Sequence, residues 1–318
     1  MSTPRPDLSV DLGGLAFRNP VMPASGCFGP ELGDLLDLDR LGALVTKTVF
    51  AEPRSGNPAH RLAETYAGML NSVGIPSRGA EAFIAELLPR YRAWSPPLIV
   101  SIGGLTVAAY LEIAARLAGV AGIAAFEVNV SCPNLEAGGL EIGAVPEVVE
   151  AVVRGVVERV DVPVIAKLTP NVTSIATIAR AAEAGGAAAI TAVNALMGMA
   201  IDVRTRRTRT GTLTAGFTGP AIKPVALRCV WQVAQAVAIP VIGVGGIATV
   251  DDALEFLLAG ASAVQVGSAT FTRPDTMLGI ITALEARLAG DGVAAVRDLI
   301  GALEPEPSAH DLVSTQAG

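Results

Sequence analysis

The sequence is poor in the residues from which several common kinds of site are built. Its three cysteines, Cys27, Cys132 and Cys229, are too few and too scattered for a disulfide framework or for a zinc site with paired CxxC spacing. Its two histidines, His60 and His310, leave little material for a Ser-His-Asp triad or a histidine-ligated metal. The sequence therefore does not favour a disulfide-rich, zinc-binding or triad-hydrolase protein.

Charged residues and long apolar runs are also scarce. Charged residues make up 17% of the chain, and the net charge of −7 argues against a general nucleic-acid binder. The best candidate for a membrane span, Gly185–Ile201, is interrupted by Thr191 and Asn194. The first ten residues contain two prolines, an arginine and an aspartate where a signal peptide needs an apolar region. We therefore expect a cytoplasmic protein that binds neither nucleic acid nor membrane.

The composition that remains favours an α/β protein. Hydrophobic residues make up 51% of the chain, with Ala, Val, Ile and Gly prominent and aromatic residues at only 4%. This composition suits parallel strands that are buried on both faces and covered by helices. No linker of low complexity divides the 318 residues. We expect one domain over residues 1–318, with residues 300–318 as a C-terminal tail.

Short β-branched runs alternate along the chain with stretches of helical period. Eight such alternations predict a closed (β/α)8 TIM barrel, because right-handed βαβ units close into a ring when no strand is left as a long edge. The predicted strands are Val21–Ala24, Ala43–Val49, Leu98–Ile102, Phe126–Val130, Val164–Leu168, Ala188–Val193, Val241–Val244 and Ala263–Val266. The predicted helical connections are Gly79–Arg92, Thr106–Leu117, Val145–Val160, Ser174–Ala184, Ala221–Val237, Val250–Leu258 and Thr276–Leu288.

Two of the βα connections, Phe50–Gly79 and Met197–Gly219, are longer than a barrel needs. Loops that follow barrel strands lie at the C-terminal face, where the active sites of such barrels are found. We therefore expect these two loops to cover a ligand.

Polar residues punctuate the predicted strands at their C-terminal ends. Each of them alone is better explained as a solvated loop or turn residue. In a closed barrel they would converge on one rim, and this convergence favours a ligand site. These residues are Ser25, Lys47, Thr48, Ser101, Asn129, Lys167 and Asn194.

Glycines follow the last two predicted strands, in Val244-Gly245-Gly246-Ile247 and Val266-Gly267-Ser268. Barrels commonly bind phosphate after strands seven and eight, where backbone amides free of side-chain hindrance can reach it. A tight strand-to-helix turn explains either segment alone. Two such turns in successive units favour a phosphorylated cofactor, without indicating which one.

Cys132 is the strongest candidate for a reactive residue. It follows a predicted strand, in Asn129-Val130-Ser131-Cys132-Pro133-Asn134, whereas Cys27 and Cys229 resemble ordinary small hydrophobic residues. An unperturbed cysteine is mostly a thiol at neutral pH, but its thiolate fraction is an effective base or nucleophile where lysines and amides surround it. We therefore predict that Cys132 takes part in the chemistry.

In combination, these segments resemble the class 1 dihydroorotate dehydrogenases over nearly the whole chain. The cysteine at 132 distinguishes class 1 from the membrane-bound class 2 enzymes, which have serine there. Leu196–Asp202 and Gly219–Pro224 are similar to type B rather than to the fumarate-using type A. The other segments that carry the resemblance are Asn19–Val21, Ala24–Gly26, Thr46–Thr48, Gly68–Gly74, Asn129–Asn134, Ala166–Leu168, Gly245–Ile247 and Val266–Ser268.

The resemblance implies an enzyme that oxidises dihydroorotate to orotate in de novo pyrimidine biosynthesis. Hydride would pass to flavin mononucleotide (FMN), with Cys132 as the general base. The implied substrate site consists of Lys47, Asn71, Ser72, Val73, Gly74, Asn129, Asn134, Asn194 and Ala195. The implied FMN site consists of Ser25, Lys47, Thr48, Ser101, Asn129, Lys167, Val193, Gly219, Gly245, Gly246, Gly267 and Ser268, with Lys167 near the N1–O2 edge of the flavin.

Two of these positions depart from the family pattern. Ser101 stands where family members usually have an asparagine that contacts the flavin. Ala195 stands where a threonine or serine usually helps to bind substrate. A hydroxyl can take over the role of the amide at 101, but at 195 the hydroxyl is lost.

The resemblance also implies a partner subunit. Type B enzymes pair the catalytic barrel with a subunit that carries FAD and a [2Fe–2S] cluster and passes electrons to NAD+. This sequence has no cysteine cluster able to hold an iron–sulfur centre, so both groups would reside in the partner. We expect a homodimer of catalytic chains within a heterotetramer. The arginines at 204, 206, 207 and 209 suit a solvated loop better than a docking surface.

Several alternatives remain open from the sequence. Flavin barrels that reduce uracil-like rings have a similar cysteine motif, but usually with histidine where Asn134 stands. A type A enzyme is a second alternative. A barrel aldolase with a Schiff base on Lys167 or Lys47 is a third, although it leaves Asn129–Asn134 unexplained. A binding or assembly protein on a decayed barrel is a fourth.

Overall fold

The computed structural model describes residues 5–131 and 142–304. The predicted site residues Cys132 and Asn134 lie outside these ranges, as do residues 305–318 of the predicted tail. Eight parallel strands form one sheet, in the spatial order first, eighth, seventh, sixth, fifth, fourth, third and second along the chain. The strands are β1 (Val21–Pro23), β2 (Leu44–Val45), β3 (Leu98–Ile102), β4 (Ala125–Asn129), β5 (Val164–Leu168), β6 (Ala189–Ala192), β7 (Val241–Val244) and β8 (Ala263–Val266).

The two ends of this sheet, β1 and β2, come together and close the ring. The backbone amide of Gly42, just before β2, donates to the carbonyl of Val21 in β1 at 2.9 Å. Gly42 has no room for a side chain, because an added Cβ would collide with the carbonyl of Asn19. The amide side chain of Asn19 in turn donates to Arg40 O and accepts from Val21 N, which fixes the approach of the two segments. The predicted TIM barrel is confirmed.

Helices surround the barrel and bury one face each against it. Thr106 and Ser174 cap two of them, since each side-chain oxygen accepts from the backbone amide three residues later. Thr249 and Asp252 form a reciprocal capping box at a third. The α-helices are Ala80–Ala82, Leu88–Tyr91, Val107–Leu117, Pro146–Val157, Ile175–Ala184, Lys223–Ala234, Val250–Leu258, Ala269–Thr272 and Thr276–Asp291. Short 3-10 helices span Pro30–Asp34, Leu38–Arg40, Ile142–Ala144, Pro220–Ile222 and Val296–Leu299.

Two predicted elements differ most from the observed ones. The predicted strand Ala43–Val49 is regular only at Leu44–Val45, because the Thr46 hydroxyl accepts from Ser101 N and the backbone pairing resumes only at Val49. The predicted helix Gly79–Arg92 contains a π-helical segment at Phe83–Leu87, just before Pro89, which has no amide hydrogen to donate. The other barrel elements agree with prediction to within a few residues at their ends.

The two long connections pair with each other above the barrel. They form a four-stranded antiparallel sheet in the order Leu196–Gly198, Ala215–Thr218, Gly68–Asn71 and Leu62–Thr65, which we call the cap sheet. Ala63, Leu70 and Ala215 form a small apolar core within it. The sequence indicated loops here. The arginines at 204, 206, 207 and 209 are exposed on and beside an adjoining two-stranded hairpin, Ile201–Asp202 with Arg207–Thr208.

The opposite end of the barrel is filled. A hairpin of Val10–Asp11 and Ala16–Phe17 packs Leu12 and Phe17 against Met22, Ile165 and other residues near the starts of the strands. Within the described ranges, no helix combines the length and the apolarity that crossing a bilayer requires. The barrel opens at its other, C-terminal end, beneath the cap sheet.

Candidate active site

A cavity of about 320 Å³ lies at the C-terminal ends of the barrel strands, a volume within the usual range of small-molecule sites. The strand ends form its floor, and Met69, Asn71 and Thr218 of the cap sheet contribute to its wall. Most of the residues predicted from the sequence line this one cavity. They are Ser25, Lys47, Thr48, Asn71, Val73, Gly74, Asn129, Lys167, Val193, Asn194, Ala195, Gly219, Gly245, Gly246, Gly267 and Ser268.

Two predicted residues lie behind the cavity wall. Ser101 is fully buried, and its hydroxyl is 3.0 Å from that of Thr48, which does line the cavity. The Ser72 hydroxyl is 2.6 Å from that of Thr212 and accepts from the Asn57 side chain at 3.1 Å. Ser72 therefore ties together the two connections that form the cap sheet, and Ser101 supports Thr48.

Lys47 is a half-buried lysine in the cavity wall. Burial is the main cause that lowers the pKa of its ammonium. The nearby Cys27 raises this pKa, whereas the nearby Arg61 lowers it further. No carboxylate pairs with Lys47 in the described part of the chain. A carboxylate ligand entering the cavity would therefore find a cation that is not already neutralised.

The asparagines of the cavity are held in defined orientations. Asn194 donates from its side-chain nitrogen to Asn129 Oδ1 at 3.1 Å and accepts from Ala195 N at 2.8 Å. Asn71 donates from its nitrogen to Gly216 O at 3.0 Å. Among the described residues, Asn129 Nδ2 and Asn71 Oδ1 have no partner. The cavity thus offers a free amide donor and a free amide acceptor, which suits a planar ring with both kinds of group.

Lys167 lies on the cavity floor at the end of β5. Its ammonium donates to Gln265 Oε1 at 2.8 Å, to Glu127 Oε1 at 3.3 Å and to Ser25 Oγ at 3.3 Å. Glu127 and Gln265 were missed by the sequence analysis. The signal that could have found them is an ionisable or amide residue in the middle of a strand that is otherwise apolar.

The glycine turns form a cradle of backbone amides at one end of the cavity. Gly245 and Gly246 have φ angles of +136° and +76°, which favour glycine, and an added Cβ at 245 would collide with Ala226. Within the part of the chain that the structure describes, the amides of Gly246, Gly267 and Ser268 have no acceptor. Unpaired backbone amides at the wall of a cavity can bind an anion, as they do in known phosphate sites.

Lys223 packs beside the cradle but is already neutralised. Its ammonium pairs with Asp252 at 2.6 Å and with Glu255 at 2.8 Å, and hydrogen bonds to these two carboxylates raise its pKa. An anion in the cradle would therefore be bound mainly by backbone amides.

The position of Cys27 differs from the one expected from the sequence. It lines the cavity, whereas the sequence suggested an ordinary small hydrophobic residue. Burial raises the pKa of its thiol, and the charges of Lys167 and Lys47 only partly offset that effect. Cys27 is therefore a protonated thiol at neutral pH. Cys229, by contrast, is buried in the helix Lys223–Ala234, as expected of a small hydrophobic residue.

Comparisons with known proteins identify the family of this chain. The dihydroorotate dehydrogenase family model matches residues 7–288. The chain is 51% identical over 296 residues to the dihydroorotate dehydrogenase B (NAD(+)) catalytic subunit of Desulforudis audaxviator, covering 92% of this chain and 96% of that protein. Its identity to the equally named subunit of Geotalea uraniireducens is 49% over 301 residues, covering 94% and 99%. The chain belongs to the dihydroorotate dehydrogenase family.

Proposed function

We propose that this chain oxidises dihydroorotate to orotate in the cavity at the C-terminal end of its barrel, as the catalytic subunit of an NAD+-linked enzyme. One observation carries the proposal: an unneutralised lysine, oriented asparagine amides, a second lysine and a cradle of unpaired backbone amides all line the same cavity. Together they match a carboxylate-bearing amide ring beside a phosphorylated cofactor.

The residues present fit FMN. The cradle of Gly246, Gly267 and Ser268 suits its phosphate, since three backbone amides there have no acceptor in the described structure. When bound, FMN supplies the acceptor for the substrate hydride. Ser101 acts indirectly, through Thr48. The residues we propose to hold FMN are Ser25, Lys47, Thr48, Asn129, Lys167, Val193, Gly219, Gly245, Gly246, Gly267 and Ser268.

The substrate lies, in this proposal, between Lys47 and the asparagines. Lys47 binds the carboxylate of dihydroorotate, and Asn71 and Asn129 bind its ring amides through their free acceptor and donor. Asn194 orients Asn129, and Asn134 completes the amide set. Val73 and Gly74 line the wall, whereas Ser72 holds their loop in place through Thr212. Ala195 leaves its part of the wall without a hydroxyl.

Cys132 is the proposed general base, which removes the proton from C5 of dihydroorotate as the hydride leaves C6. The support for this proposal comes from the residues that precede Cys132 in the sequence. Asn129 lines the cavity, and its carbonyl accepts from the Tyr110 hydroxyl at 2.7 Å. The Asn129 side chain also accepts from Ser131 N at 3.2 Å. The last residue of β4, Asn129, therefore lies at the cavity, three residues before Cys132 in the sequence.

We further propose that electrons leave the bound flavin through a second subunit that carries FAD and a [2Fe–2S] cluster. The support is that the relatives are named catalytic subunits of an NAD(+) enzyme. We expect a homodimer of this chain within a heterotetramer, in the cytoplasm, and one domain over the whole chain.

The Schiff-base alternative on Lys167 is weakened by the contacts of that residue. A lysine nucleophile needs a free neutral amine. The Lys167 nitrogen instead donates to three acceptors, one of them the Glu127 carboxylate.

Anaerobic reduction of the bound flavin tests the proposal. Dihydroorotate should bleach the flavin absorbance of the wild-type chain. Cys132→Ser should slow that reduction by about 100-fold or more at neutral pH, because a serine hydroxyl, unlike a cysteine thiol, has almost no ionised fraction there to accept the proton. Cys27→Ser is the matched control and should slow it much less. Dihydrouracil, which lacks the carboxylate, should reduce the flavin poorly. Equal rates for the wild type and Cys132→Ser would contradict the base assignment, and reduction by dihydrouracil alone would contradict the substrate.

A further inference from the structure

Glu127 is a carboxyl group enclosed in the interior of the barrel. It lies in the middle of β4, between Phe126 and Val128, and its side chain has no exposed surface. Barrel interiors are normally filled with branched apolar side chains. A carboxylate buried without partners is strongly destabilising. Its presence here therefore requires specific partners on the neighbouring strands.

Three buried side chains supply those partners. Glu127 Oε1 accepts from Lys167 Nζ in β5 at 3.3 Å, and Glu127 Oε2 accepts from Thr191 Oγ1 in β6 at 3.1 Å and from Gln265 Nε2 in β8 at 2.7 Å. Gln265 also accepts from Lys167 through its own Oε1 at 2.8 Å. Glu127 and Gln265 thus hold one ammonium from two sides, and four strands contribute to the cluster.

Each hydrogen bond in this cluster has only one workable direction. A carboxylate only accepts and an ammonium only donates, so Gln265 must turn its nitrogen to Glu127 and its oxygen to Lys167. A glutamine at 127 would break this order. If the introduced amide turns its oxygen to Lys167, its nitrogen faces the side-chain nitrogen of Gln265. Gln265 must then rotate its amide by half a turn, which moves its oxygen away from Lys167. If the introduced amide instead turns its nitrogen to Lys167, that contact is lost directly. Lys167 loses one acceptor in either case.

We propose that Glu127 is a positioning residue: its carboxylate, acting with Gln265, holds the Lys167 ammonium at the cavity floor and thereby sets the reduction potential of FMN bound there. This inference rests on the proposed function, since it takes FMN as the occupant. Reduced flavin gains negative charge, which a fixed ammonium stabilises. An ammonium that has lost one of its buried acceptors is held less firmly and stabilises the reduced form less.

The test is the midpoint potential of FMN bound to the full chain, measured by anaerobic equilibration with redox dyes. In Glu127→Gln, the ratio of reduced to oxidised flavin at a fixed solution potential should fall by about tenfold, which is about 30 mV for two electrons. Lys167→Met should lower the potential as well. Combining the two substitutions should lower it no further than Lys167→Met alone, since Glu127 acts through Lys167.

An unchanged potential in Glu127→Gln would overturn the inference. So would a rise, because it would mean that the carboxylate acts through its own charge and not through Lys167. Additive effects in the double variant would overturn it too.

A charge relocation separates positioning from packing. Glu127→Gln combined with Gln265→Glu keeps one carboxylate and one amide, and again offers Lys167 two acceptors. The potential should return to that of the wild type. If Glu127→Gln alone loses its fold or its FMN, this double variant decides: a wild-type potential supports the inference, whereas a lowered potential or a second failure to fold overturns it.

Measurements on the wild-type chain distinguish a failure of this inference from a failure of the proposed function on which it rests. If the purified chain retains no FMN, or if dihydroorotate does not reduce it, the proposed function fails. If FMN is bound and reduced but its potential is insensitive to residue 127, only the role of Glu127 fails.

Discussion

Two lysines in one cavity differ in whether a carboxylate of the described structure pairs with them. Lys167 is buried and is held by Glu127, Gln265 and Ser25. Lys47 is half-buried, and in the described structure it has no carboxylate partner. A lysine without a counter-charge is available to an anionic ligand, whereas one with a built-in counter-charge has a fixed position. This difference fits Lys47 for binding the carboxylate of the proposed substrate and Lys167 for a fixed position beside the proposed cofactor.

The lowered pKa of Lys47 predicts how orotate binding depends on pH. Only the ammonium attracts the orotate carboxylate, so affinity is full below the pKa of Lys47 and is lost as pH rises through it. Because burial lowers that pKa, the loss should begin at a lower pH than for an exposed lysine. Titrating orotate against the flavin absorbance, from about pH 7 to about pH 10, measures this.

Lys47→Met is the control for this experiment. It should bind orotate weakly at every pH and remove the alkaline loss, which also separates Lys47 from Cys27 and other groups that titrate in the range. An orotate affinity of the wild type that stays constant across the range would show that Lys47 does not bind the carboxylate.

At the scale of elements, the cap sheet brings together residues far apart in the chain. Asn71 pairs with Gly216, and the Asn71 side chain donates to the Gly216 carbonyl at 3.0 Å. Gly216 has no side chain at the point where Asn71 and Ala195 approach each other. A Cβ added there would lie 2.9 Å from Ala195 Cβ and 3.2 Å from Asn71 Nδ2. The position of the Asn71 amide, which we propose to bind substrate, therefore depends on a glycine in the facing strand.

Gly216→Ala should weaken substrate binding without loss of FMN. Overpacking of about 1–2 kcal/mol that displaces Asn71 would raise KM for dihydroorotate by about 5- to 30-fold. Steady-state kinetics with an artificial electron acceptor measures this, and flavin content reports on the cofactor. Gly198→Ala, in the same sheet, is the matched control because its Cβ would meet Leu70 and Phe217 instead. Equal effects of the two substitutions would mean that the cap sheet is merely destabilised.

At the scale of the whole molecule, the cavity is lined by residues from strands around the barrel. Ser25 follows β1, Lys167 lies in β5, and the glycine turns follow β7 and β8. The opposite end of the ring is filled by the N-terminal hairpin. A ligand bound across the open end would therefore stabilise the folded barrel as a unit.

FMN should raise the thermal unfolding midpoint of the FMN-free chain, and riboflavin, which lacks the phosphate, should raise it much less. At a free FMN concentration about 100 times its Kd, the expected stabilisation is about 2.7 kcal/mol. Differential scanning calorimetry with each ligand at the same concentration measures this. Gly267→Asp, which puts a carboxylate at the cradle, should abolish the difference between the two ligands. Equal stabilisation by FMN and riboflavin in the wild type would contradict the phosphate cradle.

The amino-acid sequence by itself determined the barrel fold and which residues lie at the C-terminal ends of its strands. Strand and helix periods are local, and parallel strands in a closed ring must present their C-terminal ends together, so Lys47, Asn129 and Lys167 could be assigned to one site from their positions alone. Their contributions to binding remain predictions. Only the tertiary structure decided which side chains meet across the ring or between distant loops. The Glu127 cluster, the cavity-facing Cys27 and the pairing of Gly68–Asn71 with Ala215–Thr218 join residues distant in sequence, and no local pattern encodes such contacts.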